Sequence, residues 1–120
     1  MSAPVLELLQ ALSKAVEAKD LDAAMSLWTD DGILAGSGEE ELGVDGGVRD
    51  FLRAVFGTEL VIGWSWQEPV VRGEGSIAWF YADGTLHVQG MKDRPYRASG
   101  VVRLVDGGWR FAMWCGATPD

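Results

Sequence analysis

The segment GTELVIGWSWQ, residues 57–67, decides the fold, because the spacing of apolar residues changes there. Upstream of it, apolar residues recur every three or four positions, the period of an amphipathic helix. Within it, Leu60, Ile62, Trp64 and Trp66 occupy alternate positions, the period of a strand. The chain is therefore predicted to be an α+β protein with a helical N-terminal part and a C-terminal sheet.

Three helices are predicted upstream of this segment. An apolar stripe of Val5, Leu9, Leu12 and Val16 marks the first helix. Asp20 would cap a shorter second helix, and Asp45 a third that ends at Gly57. The inner face of the second helix is predicted to carry Leu21, Ala24, Met25 and Trp28. That of the third is predicted to carry Val48, Phe51, Leu52 and Val55. Between them, residues 33–35 read as a brief strand and residues 36–47 as a loop rich in glycine and acids.

Downstream, about four strands are predicted, joined by turns. Asp83-Gly84 either turns the chain tightly or forms a bulge within one long strand. Residues 96–105 and 109–115 are predicted strands on either side of an Asp-Gly-Gly hairpin turn at 106–108. Helices first and hairpin-linked strands afterwards favour an antiparallel sheet.

The last strand is apolar on both sides, which bears on oligomeric state. Simple alternation puts Trp109, Phe111 and Met113 on one face and Ala112 and Trp114 on the other. A face in contact with water would carry polar residues, and the helices can cover one face only. The sequence therefore predicts a homodimer through the other sheet face.

Size and charge limit the classes of function. The 120 residues are one ordinary domain, residues 1–120, and 48% of them are hydrophobic. The net charge of −8 argues against nucleic acid and against anionic membrane surfaces as partners. No apolar stretch approaches the length of a membrane span and no signal peptide is recognised. The single cysteine, Cys115, allows no internal disulfide and fits a cytoplasmic protein.

Several motifs in this order resemble one known family. They are AVEAKDLDAAMSLWTDDGILAG (15–36), GVDGGVRDFLRAVFG (43–57), SIAWFYADGTLHVQG (76–90) and RASGVVRLVDGGWRF (97–111). This arrangement resembles the SnoaL-like branch of the nuclear-transport-factor-2-like superfamily. The resemblance implies a strongly bent antiparallel sheet, wrapped by three helices into a cone that opens on an apolar pocket. It also implies dimers that pack sheet against sheet. The family contains both enzymes and non-catalytic binding modules, so the fold does not settle the function.

The ketosteroid isomerases of this fold provide a test of chemistry. Their mechanism needs a carboxylate base and a neutral acid in the pocket. Aligning the Asp-Asp turn and the final hairpin places these two groups at Gly36 and Gly100, neither of which can transfer a proton. The nearest acids are Asp31 and the loop residues Glu39, Glu40 and Glu41.

One histidine and one cysteine remain as reactive candidates. His87 is the only histidine and becomes the first catalytic candidate if it points into the pocket. It alternates with Leu86 and Val88, so an outward orientation is the competing interpretation. Cys115 has no assignable positive neighbour to activate its thiol, and a structural role is favoured. No metal site is predicted, because no ligand spacing is present, and no cofactor is predicted either.

Six tryptophans are the most unusual feature of the composition. They either pack the core and a dimer interface or line an apolar pocket for a flat ligand. The predicted ligand-binding residues are Trp28, Trp64, Trp66, Trp79, Tyr81, Arg97 and Met113, with Gln67 and Ser99 as lesser polar candidates.

Three hypotheses follow from these observations. The first is a dimeric small-molecule-binding domain with an apolar, Trp-rich pocket. The second is an isomerase, lyase or cyclase that acts on a polyketide-like or steroid-like ring compound through His87 or a loop carboxylate. The third is an interaction module with no pocket.

Overall fold

The computed structural model describes residues 2–35 and 47–118, which form three helices and six strands. The helices are α1 (Ser2–Glu17), α2 (Leu21–Met25) and α3 (Gly47–Phe56). The strands are β1 (Trp28–Ala35), β2 (Ile62–Trp66), β3 (Val70–Glu74), β4 (Ile77–Val88), β5 (Arg94–Val105) and β6 (Gly108–Ala117). The expected cap of the third helix, Asp45, and the acidic loop lie outside the described residues.

All six strands belong to one curled sheet in the order β1-β6-β5-β4-β2, with β3 also paired to β4. Strand β4 pairs with β3 along its first half and with β2 along its second half. These pairs and the hairpins β4–β5 and β5–β6 are antiparallel, whereas β1 runs parallel to β6. A parallel pair is possible here because α3 and four strands separate β1 from β6 along the chain. The predicted fold class is confirmed, and the sheet is mixed because of this one pair.

The apolar stripe of α1 packs against the inner face of the sheet. Val5 and Leu9 are fully buried, and Leu12 and Val16 nearly so. Ser13, on the same helix, is buried as well and contacts the edge strand β2. Its Oγ accepts a hydrogen bond from the Trp64 backbone N–H (2.8 Å) and donates one to the Trp64 carbonyl (2.9 Å). The helix thereby satisfies edge-strand groups of β2 and fixes the position of Trp64.

The second helix is shorter than predicted. Asp20 caps it as expected, since its carboxylate accepts a hydrogen bond from the Ala23 N–H at 3.0 Å. The helix ends at Met25, where Ser26 Oγ donates to the Ala23 carbonyl at 2.6 Å. Such local bonds compete with helix continuation. The prediction that Trp28 lies on this helix is therefore wrong: Trp28 begins β1 and pairs with Phe111 of β6.

The turns follow the residues that the sequence offers. The Asp83-Gly84 pair does not turn the chain but lies within the continuous strand β4, as the second predicted alternative had it. The bulge expected in that alternative is absent, because Asp83 and Gly84 pair with Arg97 and Tyr96 in unbroken register. The β5–β6 hairpin turns at Asp106 and Gly107, whose φ angles are 51° and 82°. Two successive positive φ angles are typical of the type I′ turn, which matches the twist of the flanking strands.

A β-bulge in β6 decides which side chains face inward. Val101 pairs with Met113 and Val102 with Phe111, so Ala112 is an extra residue without a partner. Phe111 and Trp114 consequently both lie on the buried inner face, although three positions separate them. The predicted grouping of Met113 with Phe111 is wrong, because the bulge turns Met113 to the outer face, where it is 41% exposed.

The outer face of the sheet carries an apolar row. The register aligns Ile33, Met113, Val101 and Trp79 across β1, β6, β5 and β4. Ile33 and Trp79 are each 48% exposed. Within the described parts of the chain, no helix has the length and apolarity required to cross a bilayer.

Candidate functional site

A partly open cavity of about 190 Å³ lies between α1, α3 and the inner face of the sheet. Its walls come from every layer of the fold, so no single segment builds it. The described residues that line it are Leu12, Val16, Trp28, Leu34, Phe51, Leu52, Val55, Ile62, Trp64, Leu86, Tyr96, Trp114 and Thr118.

An aromatic cluster forms one side of this cavity. The Trp64 ring centroid lies 5.8 Å from that of Tyr96 and 6.1 Å from that of Trp114. Trp66 stacks on Trp64 at 6.2 Å and packs edge-on against Tyr96 and Trp114. Through Phe111 the cluster continues to Trp28, with centroids 5.4 Å apart at each step. Aromatic pairs of this kind each contribute about 0.5–1.5 kcal/mol beyond area burial, so they stabilise this wall of the cavity.

Three indole N–H groups are buried in this cluster without an acceptor among the described residues. They belong to Trp28, Trp64 and Trp66. Their surroundings are other aromatic rings, and edge-on packing such as that of Trp66 is the arrangement in which an N–H group meets a ring face. The indoles thus bring buried N–H groups to this side of the cavity but no charge.

Proton-transfer groups are scarce in the cavity. Among the described lining residues, Tyr96 is the only one with a titratable side chain. Gly100, where the isomerase alignment places the pocket acid, pairs with the inward-facing Phe80 and Trp114. A Cβ at Gly100 would overlap the Met113 carbonyl oxygen and lie 3.2 Å from Phe80. The protein therefore has no room for a carboxylate at that position. Gly36 and Glu39–Glu41 lie outside the described residues.

The structure divides the predicted ligand-binding residues between the two faces of the sheet. Trp28 and Trp64 line the cavity, and Trp66 packs behind Trp64. The lesser candidates Gln67 and Ser99 do not line it either. On the outer face lie the remaining four, namely Trp79, Tyr81, Arg97 and Met113.

Strand alternation and the bulge explain this division. Phe80 and Ala82 of β4 point inward and are buried, which turns their neighbours Trp79 and Tyr81 outward. In β5, Tyr96 and Ala98 point inward and are buried, which turns Arg97, between them, outward. Tyr96 and Trp114 are cavity residues that sequence reasoning missed. The alternation of apolar Tyr96 with charged Arg97 was the available signal that Tyr96 faces inward. For Trp114 no such signal existed, because the bulge changes the face on which it lies.

Tyr81, Asp83 and Arg97 form a polar cluster on the outer face. Arg97 Nε donates to one Asp83 oxygen (2.9 Å), the Tyr81 hydroxyl donates to the other (2.8 Å), and the guanidinium lies 5.2 Å from the Tyr81 ring centre. The hydrogen bond from Arg97, assisted by that from Tyr81, lowers the pKa of Asp83. The bond to Asp83 raises the pKa of Tyr81. These residues hold β4 and β5 together rather than facing the cavity.

His87 also lies on the outer face, pointing away from the cavity-lining Leu86. Its Nε2 is 2.9 Å from Ser65 Oγ and its Nδ1 is 3.0 Å from Asp93 Oδ1. Sequence reasoning assigned no acidic partner to His87, because Asp93 precedes β5 in the turn after β4 and only the strand register brings the two together.

The remaining candidates are not assembled into a site. Cys115 is a free thiol exposed on the outer face of β6. Asp31 is exposed and pairs with Arg103 at 3.5 Å. In residues 2–35 and 47–118 there is no group of three or more His, Cys, Asp or Glu side chains that could hold a metal ion. The described part of the chain thus offers this cavity as an apolar binding site, beside a more polar pocket of about 290 Å³ near Asp30 and Arg49.

Comparison with known proteins agrees with this architecture. The family model of the SnoaL-like domain matches residues 5–119, nearly the whole chain. The protein therefore belongs to the SnoaL-like family. No curated protein matches the sequence well enough to count as a relative.

Solved structures share the fold at low sequence identity. An NTF2-like protein of unknown function from Pseudomonas putida KT2440 has a TM-score of 0.82 at 13% identity, over 98% of this chain and 86% of that one. An NTF2-like protein with a cystatin-like fold from Novosphingobium aromaticivorans has a TM-score of 0.78 at 21% identity, over 98% of this chain and 80% of that one. A ketosteroid isomerase-like protein from Erwinia carotovora atroseptica has a TM-score of 0.66 at 22% identity, over 99% of this chain and 96% of that one. At these identities the likeness establishes the cystatin-like NTF2 fold alone.

Proposed function

We propose that this protein is a small-molecule-binding domain whose ligand is an apolar compound with a single aromatic ring, held in the cavity. The observation that carries the proposal is the cavity itself, with its wall of Trp28, Trp64, Tyr96 and Trp114. An apolar protein cavity of roughly 150 Å³ is known to bind benzene. The volume here, about 190 Å³, holds one ring with small substituents. Larger ring systems would have to extend through the opening.

A homodimer through the outer sheet face is the second part of the proposal. The apolar row of Ile33, Met113, Val101 and Trp79 crosses four strands and is about half exposed at three of these positions. Large exposed apolar patches on soluble proteins mark interaction sites. A two-fold interface would pair this row with itself.

The cavity test uses two neighbouring positions on α3. Val55 lines the cavity and Ala54 is exposed. Quenching of tryptophan fluorescence by single-ring aromatics should saturate in the wild type and in Ala54→Phe. Val55→Phe fills the cavity and should weaken binding by at least about tenfold, the cost of roughly 1.4 kcal/mol. Equal affinities for the two variants would place any binding elsewhere. The absence of any thermal shift or quenching across an aromatic library would instead favour an interaction module.

Catalysis in the cavity is the second candidate function, and less of the structure supports it. His87 is on the opposite face, and the loop acids Glu39–Glu41 remain a prediction outside the described residues. A binding domain should keep its affinity in His87→Ala. Turnover of a ring substrate that Val55→Phe abolishes and His87→Ala leaves unchanged would favour an enzyme with its site in the cavity.

Native mass spectrometry tests the dimer and can reveal a retained ligand in the same spectrum. Two chains are expected for the wild type. Trp79→Glu should give one chain, whereas Met91→Glu, which changes an exposed residue in the β4–β5 turn, should not. A monomeric wild type would rule out the sheet-face dimer. We expect a cytoplasmic location, because the exposed Cys115 thiol persists in reducing compartments.

A further inference from the structure

The outer face carries a second, chemically distinct group of side chains at the end of the sheet near β2. Ser65, His87 and Asp93 form a continuous hydrogen-bonded chain with distances of 2.9 Å and 3.0 Å. His87 and Asp93 are partly open to solvent, with 42% and 60% of their side chains exposed. A reagent in solution can therefore reach the group without entering the cavity.

Strand register brings the three residues together. His87 of β4 pairs with Gly63 of β2, and two residues further along β2, Ser65 pairs with Thr85. Gly63 has no side chain, and the space of its missing Cβ is taken by the Glu17 side chain of α1. Leu86 pairs with Arg94, which places Asp93 beside His87 at the start of β5. Each of the three side chains is thus held by a different strand or strand end.

The chemistry of the donors fixes the direction of the hydrogen bonds. An ionised carboxylate can only accept, so the His87 nitrogen that contacts Asp93, Nδ1, must carry a proton. In neutral histidine the other nitrogen, Nε2, then has a lone pair and accepts the hydrogen bond from the Ser65 hydroxyl. A serine hydroxyl bonded to a base that a third group orients is the arrangement that activates a nucleophile.

We propose that Ser65, His87 and Asp93 form a nucleophilic site that accepts acyl groups from small activated esters. Ser65 Oγ attacks the ester carbonyl carbon while its proton passes to His87 Nε2. The tetrahedral adduct collapses, the carbon–oxygen bond to the leaving group breaks, and the leaving alkoxide takes that proton. Water, deprotonated by the same imidazole, then attacks the acyl-serine carbonyl; the bond from the acyl carbon to Ser65 Oγ breaks, the acid is released, and Oγ takes the proton back from His87. Asp93 is a positioning residue that holds the imidazole in the required tautomer.

The open position on the sheet sets the class of substrate. Three exposed side chains provide no deep pocket for a leaving group or an acyl chain. Near Ser65, the N–H of Gln67, which follows β2, is already used, since it donates to the Asp83 carbonyl of β4. No pair of free backbone N–H groups is evident at Ser65 among the described residues. Without such donors, which are worth about 10²–10³ in rate, the site requires esters or phosphonates with good leaving groups.

The test is covalent labelling of the intact protein with a fluorophosphonate probe, located by peptide mass spectrometry, together with hydrolysis of 4-nitrophenyl acetate. We expect the label on Ser65 and no comparable label on Ser76, which is exposed in the β3–β4 turn. Ser65→Ala should remove the label and reduce hydrolysis by at least about tenfold. His87→Gln should reduce both by a similar factor.

Asp93→Asn separates positioning from simple strand stabilisation. The asparagine keeps the size of the side chain but can donate to Nδ1, which favours the opposite tautomer. We expect the labelling rate of Ser65 to fall at least about tenfold with an unchanged thermal midpoint. Labelling of Ser65 at the rate of Ser76, or equal hydrolysis by wild type and Ser65→Ala, would overturn the proposal. A lowered midpoint in Asp93→Asn with unchanged labelling would show a structural role and would overturn it as well.

Discussion

The contact between Ser13 and the edge strand gives the sharpest test of how the cavity is held in place. Ser13 is 5% exposed, and its hydroxyl both donates to and accepts from the backbone of Trp64. Ser13→Ala removes both bonds and leaves the Trp64 N–H and carbonyl without these partners. Because Trp64 lines the cavity, the same change loosens the strand that carries a cavity wall.

The size of the effect can be worked out from these two bonds. Each neutral hydrogen bond contributes about 0.5–1.5 kcal/mol net, and a buried group left unpaired costs about 1–3 kcal/mol. We therefore expect Ser13→Ala to lower the free energy of unfolding by about 2 kcal/mol. With an unfolding entropy of about 2.1 cal/mol/K per residue, a chain of 120 residues loses about 8 °C in its melting temperature.

Urea unfolding monitored by circular dichroism measures this change, and Ser65→Ala is the matched control. Each variant removes one hydroxyl group, Ser13 on α1 or Ser65 on β2. Ser65, however, is exposed, and its hydroxyl contacts His87 and not the backbone of β2. The control should lie within about 0.5 kcal/mol of the wild type. If Ser13→Ala is as stable as Ser65→Ala, the helix does not anchor the edge strand and the reasoning fails.

Two further predictions concern the inner and outer faces of the sheet. Gly100→Asp should destabilise the protein by more than about 3 kcal/mol or abolish folding, because it places a charge and a Cβ where Met113 and Phe80 already lie. The control Ser99→Asp, on the outer face, should still fold. A Gly100→Asp variant with wild-type stability in urea unfolding would refute the packing argument. In an NMR titration the Asp83 carboxyl should titrate below its ordinary pKa, and Arg97→Gln should raise that pKa. Because the folded-state pKa of Asp83 is the lower one, its contribution to stability is present at neutral pH and is lost as the pH falls through that value; an unchanged titration in Arg97→Gln would contradict this assignment.

The helices and hairpins could be predicted from the sequence because their determinants are local. The stripe of α1, the Asp20 cap and the Asp106-Gly107 turn each depend on residues a few positions apart. The pairing of β1 with β6 depends on residues about eighty positions apart, and nothing in either strand specifies it alone. The fold class was therefore predictable, whereas the parallel pair was not.

The candidate site was only half predictable, for a related reason. Assigning a tryptophan to the cavity requires knowing which alternate positions of its strand face inward, and this alternation holds only until a bulge interrupts the strand. In β2 it holds, and Trp64 lines the cavity; its role in ligand binding stays a prediction. Tyr81 and Arg97 were grouped with it by residue type, without use of the alternation that turns them outward. The hydrogen-bonded chain through His87 depended on the register of three strands.

The bulge at Ala112 shows how a single residue can determine the chemistry of both faces. Without it, strict alternation from Phe111 would place Met113 inside and Trp114 outside. The cavity would then lose the ring that contacts both Trp64 and Phe111, and the outer face would gain a second tryptophan. The extra residue keeps the larger aromatic ring in the cavity and leaves the flexible Met113 on the outer face. The proposed separation of functions, ligand binding inside and subunit contact outside, therefore rests on this one unpaired residue.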